Sequence, residues 1–222
     1  MKKPRFVTFE GGEGAGKSTQ VQNLIARLAG IDISAIATRE PGGSPFAEKV
    51  RQFILDPATG QHPPLAEALL FSAARVDHIA RTIRPALAAG NWVLCDRFAD
   101  STRAYQGAAG GIDATAIATL EGLVLGDCRP DLTIILDVPP GHGLARARSR
   151  AQITTPDAPP QSPDDPYEAR DIAFHEALRQ GFLAIAQSEP VRCAVIDGTQ
   201  TETAVANDVW NVITTRLLSG AS

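Results

Sequence analysis

Hydrophobic spacing changes period abruptly near the start of the chain. Phe6, Val7 and Phe9 form a short alternating apolar run that stops at glycines, whereas Val21, Leu24, Ile25 and Leu28 recur at helical spacing. The first pattern predicts a strand and the second an amphipathic helix. Residues 33–38 (Ile-Ser-Ala-Ile-Ala-Thr) predict a second short strand, closed by the turn Pro41-Gly42-Gly43. Ser44 is placed to cap a helix carrying Phe46, Val50, Phe53 and Ile54, and a proline-bounded loop follows. From Leu65 to Ala89 the stripe Leu69, Leu70, Ala73, Val76, Ile79, Ala80, Ile83 predicts one long helix, kinked or restarted at Pro85. Residues 92–95 form a continuous apolar run before Asp96, as in a parallel strand buried on both faces. A short helix and a loop are expected over 101–111, and a helix capped by Asp113 runs to about Leu125. Residues 132–136 predict another strand, stopped by Asp137, and 144–150 a basic helix. Residues 154–166 are rich in proline and aspartate and predict a mobile loop, with a helix resuming near Tyr167 or Glu168. A strand at 191–196 and a terminal helix marked by Val205, Val209, Val212, Ile213 and Leu217 complete the pattern.

Alternating strands and helices predict βαβ units, hence an α/β fold with a five-stranded parallel sheet covered by helices on both faces. Such sheets bind ligands at the carboxyl ends of their strands, where Glu10, Arg39, Asp96, Asp137 and Asp197 fall.

Composition narrows the function classes. With 222 residues, 44% hydrophobic and 21% charged, the chain suits a single globular domain over 1–222. A net charge of −4 supplies no general field for a nucleic-acid backbone, so no long nucleic-acid partner is expected. Cys95, Cys128 and Cys193 are scattered, without metal-ligand spacing or an even count, which fits a reducing compartment. Thr8 and Glu10 interrupt any apolar segment behind Lys2 and Lys3, and no run approaches the ~20 residues of a membrane span. A cytoplasmic location without membrane contact is expected.

The chemistry begins between the first strand and helix, at Gly11-Gly12-Glu13-Gly14-Ala15-Gly16-Lys17-Ser18-Thr19. Glycines let successive backbone N–H groups converge on phosphate, and the helix N-terminus adds roughly half a positive charge. In this pattern Lys17 reaches the β- and γ-phosphates and the Ser18 hydroxyl ligates Mg²⁺. A nucleoside triphosphate is therefore the expected ligand. The base-reading motif and the Asp-x-x-Gly of a GTP switch are both missing, and the length leaves little room for a motor's coupling surfaces. A small kinase needs a carboxylate to orient metal, cations for the transferring group, an acceptor pocket and a lid. Asp96 can hold Mg²⁺ through a water, and Arg97 can bind an acceptor phosphate with its guanidinium fork. Arg146, Arg148 and Arg150 can close over the phosphates, or form an ordinary solvated helix face. His62, His78, His142 and His175 have no ligand spacing and are read as surface or loop residues.

Four segments in series resemble the bacterial thymidylate kinases: residues 9–19, Thr38-Arg39-Glu40-Pro41-Gly42-Gly43, Asp96-Arg97 with Ser101-Thr102-x-x-Tyr105-Gln106-Gly107, and Gly126-Asp127-x-Arg129-Pro130-Asp131-Leu132-Thr133. The resemblance implies a P-loop kinase three-layer fold with a mobile lid over about 146–168, usually dimeric. It also implies ATP- and Mg²⁺-dependent phosphorylation of dTMP to dTDP. Carried over by position, Glu13 holds the sugar 3′-hydroxyl, and Arg39 and Arg97 clamp the acceptor phosphate. Phe71 stacks on thymine, although the same residue fits the core stripe of its helix. Arg75 donates to O4, Thr102 reads N3 or O4, and Tyr105 fills the space of a ribose 2′-hydroxyl, while Ser101 and Gln106 lie beside them. The family type with an arginine after the loop acid has Gly14 here, so the transition-state cation is expected from the lid, with Arg150 as the match and Arg146 a further ATP contact. The usual second lid arginine is missing from Asp165-Pro166-Tyr167-Glu168. Either Arg150 suffices or Arg170 takes part. A kinase for another nucleotide or a small metabolite, dUMP nearest, and a nucleotide-binding regulatory module remain the other readings.

Overall fold

The computed structural model describes residues 3–152 and 167–219. In chain order the strands are β1 (Phe6–Glu10), β2 (Ala35–Arg39), β3 (Trp92–Asp96), β4 (Leu132–Asp137) and β5 (Cys193–Asp197). The helices are α1 (Lys17–Ala29), α2 (Pro45–Leu55), α3 (Pro64–His78), α4 (Arg84–Ala88), α5 (Ala99–Thr102), α6 (Ala114–Leu125), α7 (Pro140–Gln152), α8 (Ile172–Ser188) and α9 (Glu202–Ile213). All strand pairs are parallel, in the order β2-β3-β1-β4-β5. Each of the five strand-end residues expected from the sequence is the last residue of its strand.

Strand periodicity splits the interior into two layers. Val7, Phe9, Trp92, Leu94, Ile134 and Leu136 face one way, onto Leu24 and Leu28 of α1 and Val209 and Ile213 of α9. Phe6, Val93 and Cys95 face the other way, onto Ile79, Ile83, Phe98 and Leu125. Beyond them Ile135 and Cys193 pack against Leu178 and Phe182 of α8.

Local differences from the hydrophobic reading have physical causes. Ser44 and Asp113 cap α2 and α6 as expected, the first by accepting from Ala47 N and the second from Thr115 N and Ala116 N. The predicted long helix changes before Pro85 rather than at it. Proline has no N–H to offer the preceding turn, and residues 79–83 widen so that Arg84 N–H bonds back to Ile79 O. Residues 103–109 continue α5 as the same wide helical turn, where a loop was expected. α8 starts at Ile172, later than Tyr167 or Glu168, because Asp171 caps it by accepting from Phe174 N. His78 and His175 are buried, not on the surface. The expected loop at 154–166 lies outside the described residues.

Candidate active site

Lys17 opens α1 immediately after Gly16, and its side chain turns back over the loop. Its Nζ donates to Gly11 O at 3.1 Å and Gly12 O at 2.8 Å. Burial brings the ammonium down to about 8, with Arg97 adding to the shift and Asp96, Glu13 and Glu10 opposing it. Ser18, the next residue, donates its hydroxyl to Asp96 Oδ2 at 2.5 Å. These are two hard oxygen groups at the mouth of the loop, and Mg²⁺ accepts such ligands while keeping several waters and phosphate oxygens. Among the described residues no cluster of three or more His, Cys, Asp or Glu side chains is placed to hold a metal. The donor set therefore suits a cation that arrives with a phosphate ligand.

Arg97 follows β3 with φ at 66°, a left-handed conformation uncommon for a side-chain-bearing residue. Glu10 holds the turn that permits it. Its buried carboxylate accepts from Phe98 N at 2.8 Å, Ser101 N at 3.3 Å and Ser101 Oγ at 2.6 Å. Burial and the neighbouring Asp100 push Glu10 up to about 7, against the Ser101 hydroxyl, the Arg97 charge and the Phe98 N–H. The turned Arg97 donates from Nη1 to Gly11 O at 3.0 Å and from Nη2 to Glu13 Oε1 at 2.8 Å, with its guanidinium 5.0 Å from the Tyr105 ring centre. Tyr105 also donates its hydroxyl to Glu13. Burial would raise Glu13, but Arg97, Lys17 and the Tyr105 hydroxyl outweigh it and hold the carboxyl near 2. Glu13 is thus an ionised acceptor between two cations.

The loop, β2 and α3 border one cleft of about 590 Å³. Of the residues expected at an acceptor site, Glu13, Arg39, Phe71, Arg75, Arg97, Ser101, Thr102, Tyr105 and Gln106 all line it. Phe71 is only half-buried and packs between two apolar clusters, so it serves the core and the cleft wall together. Arg75 is fixed by Glu40, whose Oε2 accepts from Nε at 2.6 Å, and by Phe98 O and the Thr102 hydroxyl. Glu40 also bonds His78 at 2.9 Å, and the far ring nitrogen of His78 lies 2.7 Å from Thr38 Oγ1. Arg39 pairs with Glu48 at 3.1 Å and is exposed at the rim. Glu40, His78, Arg51, Tyr167 and Glu168 escaped a role in the sequence reading. Glu40, Tyr167 and Glu168 stood inside the segments that carry or interrupt the family resemblance, which was the only available signal.

The remaining strand ends do structural work. Asp137 forms a two-bond pair with Arg179 of α8, at 2.7 and 2.9 Å, and Asp197 accepts from Thr199 N at 2.8 Å. The first turn of α7 presses on the phosphate loop through two glycines. A Cβ on Gly14, where φ is +64°, would lie 1.9 Å from Gly143 O, and one on Gly143 would lie 2.3 Å from Glu13 O. That contact leaves no room for an arginine at position 14. Arg146 on α7 donates to Gly198 O at 2.8 Å, tying α7 to the loop after β5. Arg150 lies near the end of α7, and its side chain is outside the described residues, as is the 153–166 part of the expected lid. Arg170 does not line the cleft and stacks 5.1 Å from the centre of the Phe174 ring.

A phosphate loop after the central strand, facing a cleft walled by arginines and an aromatic ring, defines a P-loop nucleotide kinase. Residues 9–209 match the family model described as thymidylate kinase. The chain is 48% identical over 214 residues to a thymidylate kinase of Bradyrhizobium diazoefficiens, covering 96% of this chain and 90% of the relative. It is 49% identical over 218 residues to one from Nitrobacter winogradskyi, covering 98% and 91%. The crystal structure of thymidylate kinase from Ehrlichia chaffeensis superposes with a TM-score of 0.73 at 36% identity, covering 95% of this chain and 98% of that one. The chain belongs to the thymidylate kinase family.

Proposed function

We propose that this chain transfers the γ-phosphoryl group of ATP to dTMP, giving dTDP and ADP. The observation that carries the reading is the single cleft in which Lys17 and Arg97 stand beside Phe71 and Arg75, so that phosphate-binding and base-binding groups share one cavity. Gly11, Gly12, Gly14, Ala15 and Gly16 supply the backbone N–H groups for the ATP phosphates, with Ser18 and Thr19 at the helix start. Lys17 moves from the loop carbonyls onto the β- and γ-phosphates. Ser18 and, through water, Asp96 would hold Mg²⁺, whose charge offsets the negative charge of the phosphates.

On the acceptor side, Arg39 and Arg97 hold the dTMP phosphate in line, and Glu13 accepts from the sugar 3′-hydroxyl. Tyr105, bonded to Glu13, occupies the place a 2′-hydroxyl would take. The attacking atom is a phosphate oxygen, already ionised near neutral pH because its second pKa is about 6. No general base is required, and positioning with charge stabilisation accounts for catalysis. The bond from the γ-phosphorus to the β,γ-bridging oxygen breaks as the bond to the dTMP oxygen forms. A lid arginine, Arg150, meets the developing charge, a contribution worth about 10³–10⁵ in rate. Arg146 adds a contact on the ATP side.

The apolar residues Leu65, Leu69 and Val76 of α3 are exposed on one face, which supports a homodimer. A cytoplasmic location is part of the proposal; among the described residues no helix is long and apolar enough to cross a membrane. Coupled ADP release with ATP and Mg²⁺, against dTMP, dUMP, dCMP, dGMP, dAMP and UMP, tests the reading. Turnover highest with dTMP and weaker with dUMP supports it; turnover with a different acceptor, or none, refutes it.

A further inference from the structure

Gln106 has an amide with one accepting and one donating end, and the two look alike in shape. Here the neighbours decide between them. Gln106 is buried in the cleft wall, and its Nε2 donates to Glu67 Oε2 at 3.0 Å and to the Tyr167 hydroxyl at 3.4 Å. Glu67 lies in the first turn of α3, is buried, and does not line the cleft. A carboxylate only accepts, so turning the amide over would set Gln106 Oε1 against Glu67 and leave two buried acceptors facing each other. Glu67 therefore commits Nε2 to the interior and leaves Oε1 for the cleft.

The opposite polarity is fixed next door. Arg75 can only donate, and its Nη1 and Nη2 both reach Thr102 Oγ1 at 3.2 Å. With both lone pairs occupied, the Thr102 hydroxyl is left to donate. The wall thus offers donors from Arg75 and Thr102 beside an acceptor from Gln106. A 4-oxo pyrimidine presents an acceptor, O4, next to a donor, N3–H, and matches. A 4-amino pyrimidine presents a donor next to an acceptor, and both contacts become repulsive.

We propose that Glu67 is a positioning residue that sets the preference for 4-oxo over 4-amino pyrimidine nucleotides by locking the Gln106 amide. It acts without touching the base. This rests on the proposed function, since it takes the acceptor to be a pyrimidine nucleotide bound in this cleft. Glutamine at position 67 can itself turn over, which lets Gln106 present either end.

The test is a double-mutant cycle on the ratio of kcat/KM for dTMP to kcat/KM for dCMP, in wild type, Glu67→Gln, Gln106→Leu and the double variant. Glu67→Gln is expected to lower the ratio about tenfold or more, as for exchange of one hydrogen-bond polarity. Gln106→Leu is expected to lower it too, and Glu67→Gln in that background to change it no further. An equal loss with both acceptors in Glu67→Gln, the reading of a merely structural residue, overturns the inference. So does an undiminished ratio in Gln106→Leu, or a Glu67→Gln effect on the ratio that persists without Gln106. A wild type that does not phosphorylate dTMP overturns the proposed function and this inference together, and is read before any variant.

Discussion

Glu10→Gln is an almost isosteric change at a residue that carries both charge and architecture. The carboxyl is fully buried at the end of β1, and burial beside Asp100 raises it from 4.5 to about 7. A raised carboxyl binds its proton more tightly in the folded chain than in the unfolded one. Between those values the folded state holds more protons, so its stability is present at low pH and declines as pH rises through the window. Integrated from pH 5 to pH 8, Glu10 alone removes about 2–3 kcal/mol. His175 shifts the other way, because burial lowers it, and would blur a profile of the wild type alone. Subtracting the Glu10→Gln profile cancels that contribution. Glutamine still accepts from Phe98 N and Ser101 N through its carbonyl and can donate to the Ser101 hydroxyl, so the turn holding Arg97 survives. Urea unfolding of both proteins at pH 5, 6, 7 and 8 reads the difference. The variant should gain on the wild type by about 2–3 kcal/mol across that range. Parallel profiles would show that Glu10 titrates normally and refute the burial argument.

Other substitutions probe separate parts of the site. Glu13→Gln keeps the shape but removes the charge between Arg97 and the Tyr105 hydroxyl; kcat/KM for dTMP should drop about 10–100-fold in steady-state assays, and unchanged kinetics would remove Glu13 from the sugar contact. Gly14→Ala would drive a Cβ to 1.9 Å from Gly143 O; the loop must then separate from α7, and KM for ATP should rise at least about tenfold by the same coupled assay. Arg150→Ala should lower kcat by about 10³ with dTMP affinity nearly unchanged, since a lid cation acts in the transition state. Equal kcat in variant and wild type would exclude Arg150.

Strand and helix identity was legible because burial on both faces leaves continuous apolar runs, as at 92–95 and 132–136, and because helical stripes are long. Caps at Ser44 and Asp113 were legible for a local reason: their side chains bond backbone two or three residues ahead. The wide turns at 79–83 and 103–109 were not, since a one-residue change in hydrogen-bond span leaves the hydrophobic pattern intact. The phosphate loop was readable because its chemistry is contiguous. Glu40, His78 and Glu67 were not, because each works through a partner far along the chain: Glu40 on Arg75, His78 on Glu40, and Glu67 on Gln106. His78 and His175 were misread for a related cause. A histidine's burial depends on which elements pack over it, and spacing carries no record of that.

Phosphoryl transfer here depends on one cleft bringing the ATP γ-phosphate to the phosphate of dTMP. A single-turnover experiment with ATP radiolabelled at the γ-phosphate, excess enzyme, Mg²⁺ and dTMP follows that phosphate to its destination. Label should appear in the β-phosphate of dTDP with little in inorganic phosphate, and that transfer should be largely lost in Lys17→Ala. Label released as inorganic phosphate at the same rate with or without dTMP would contradict that dependence.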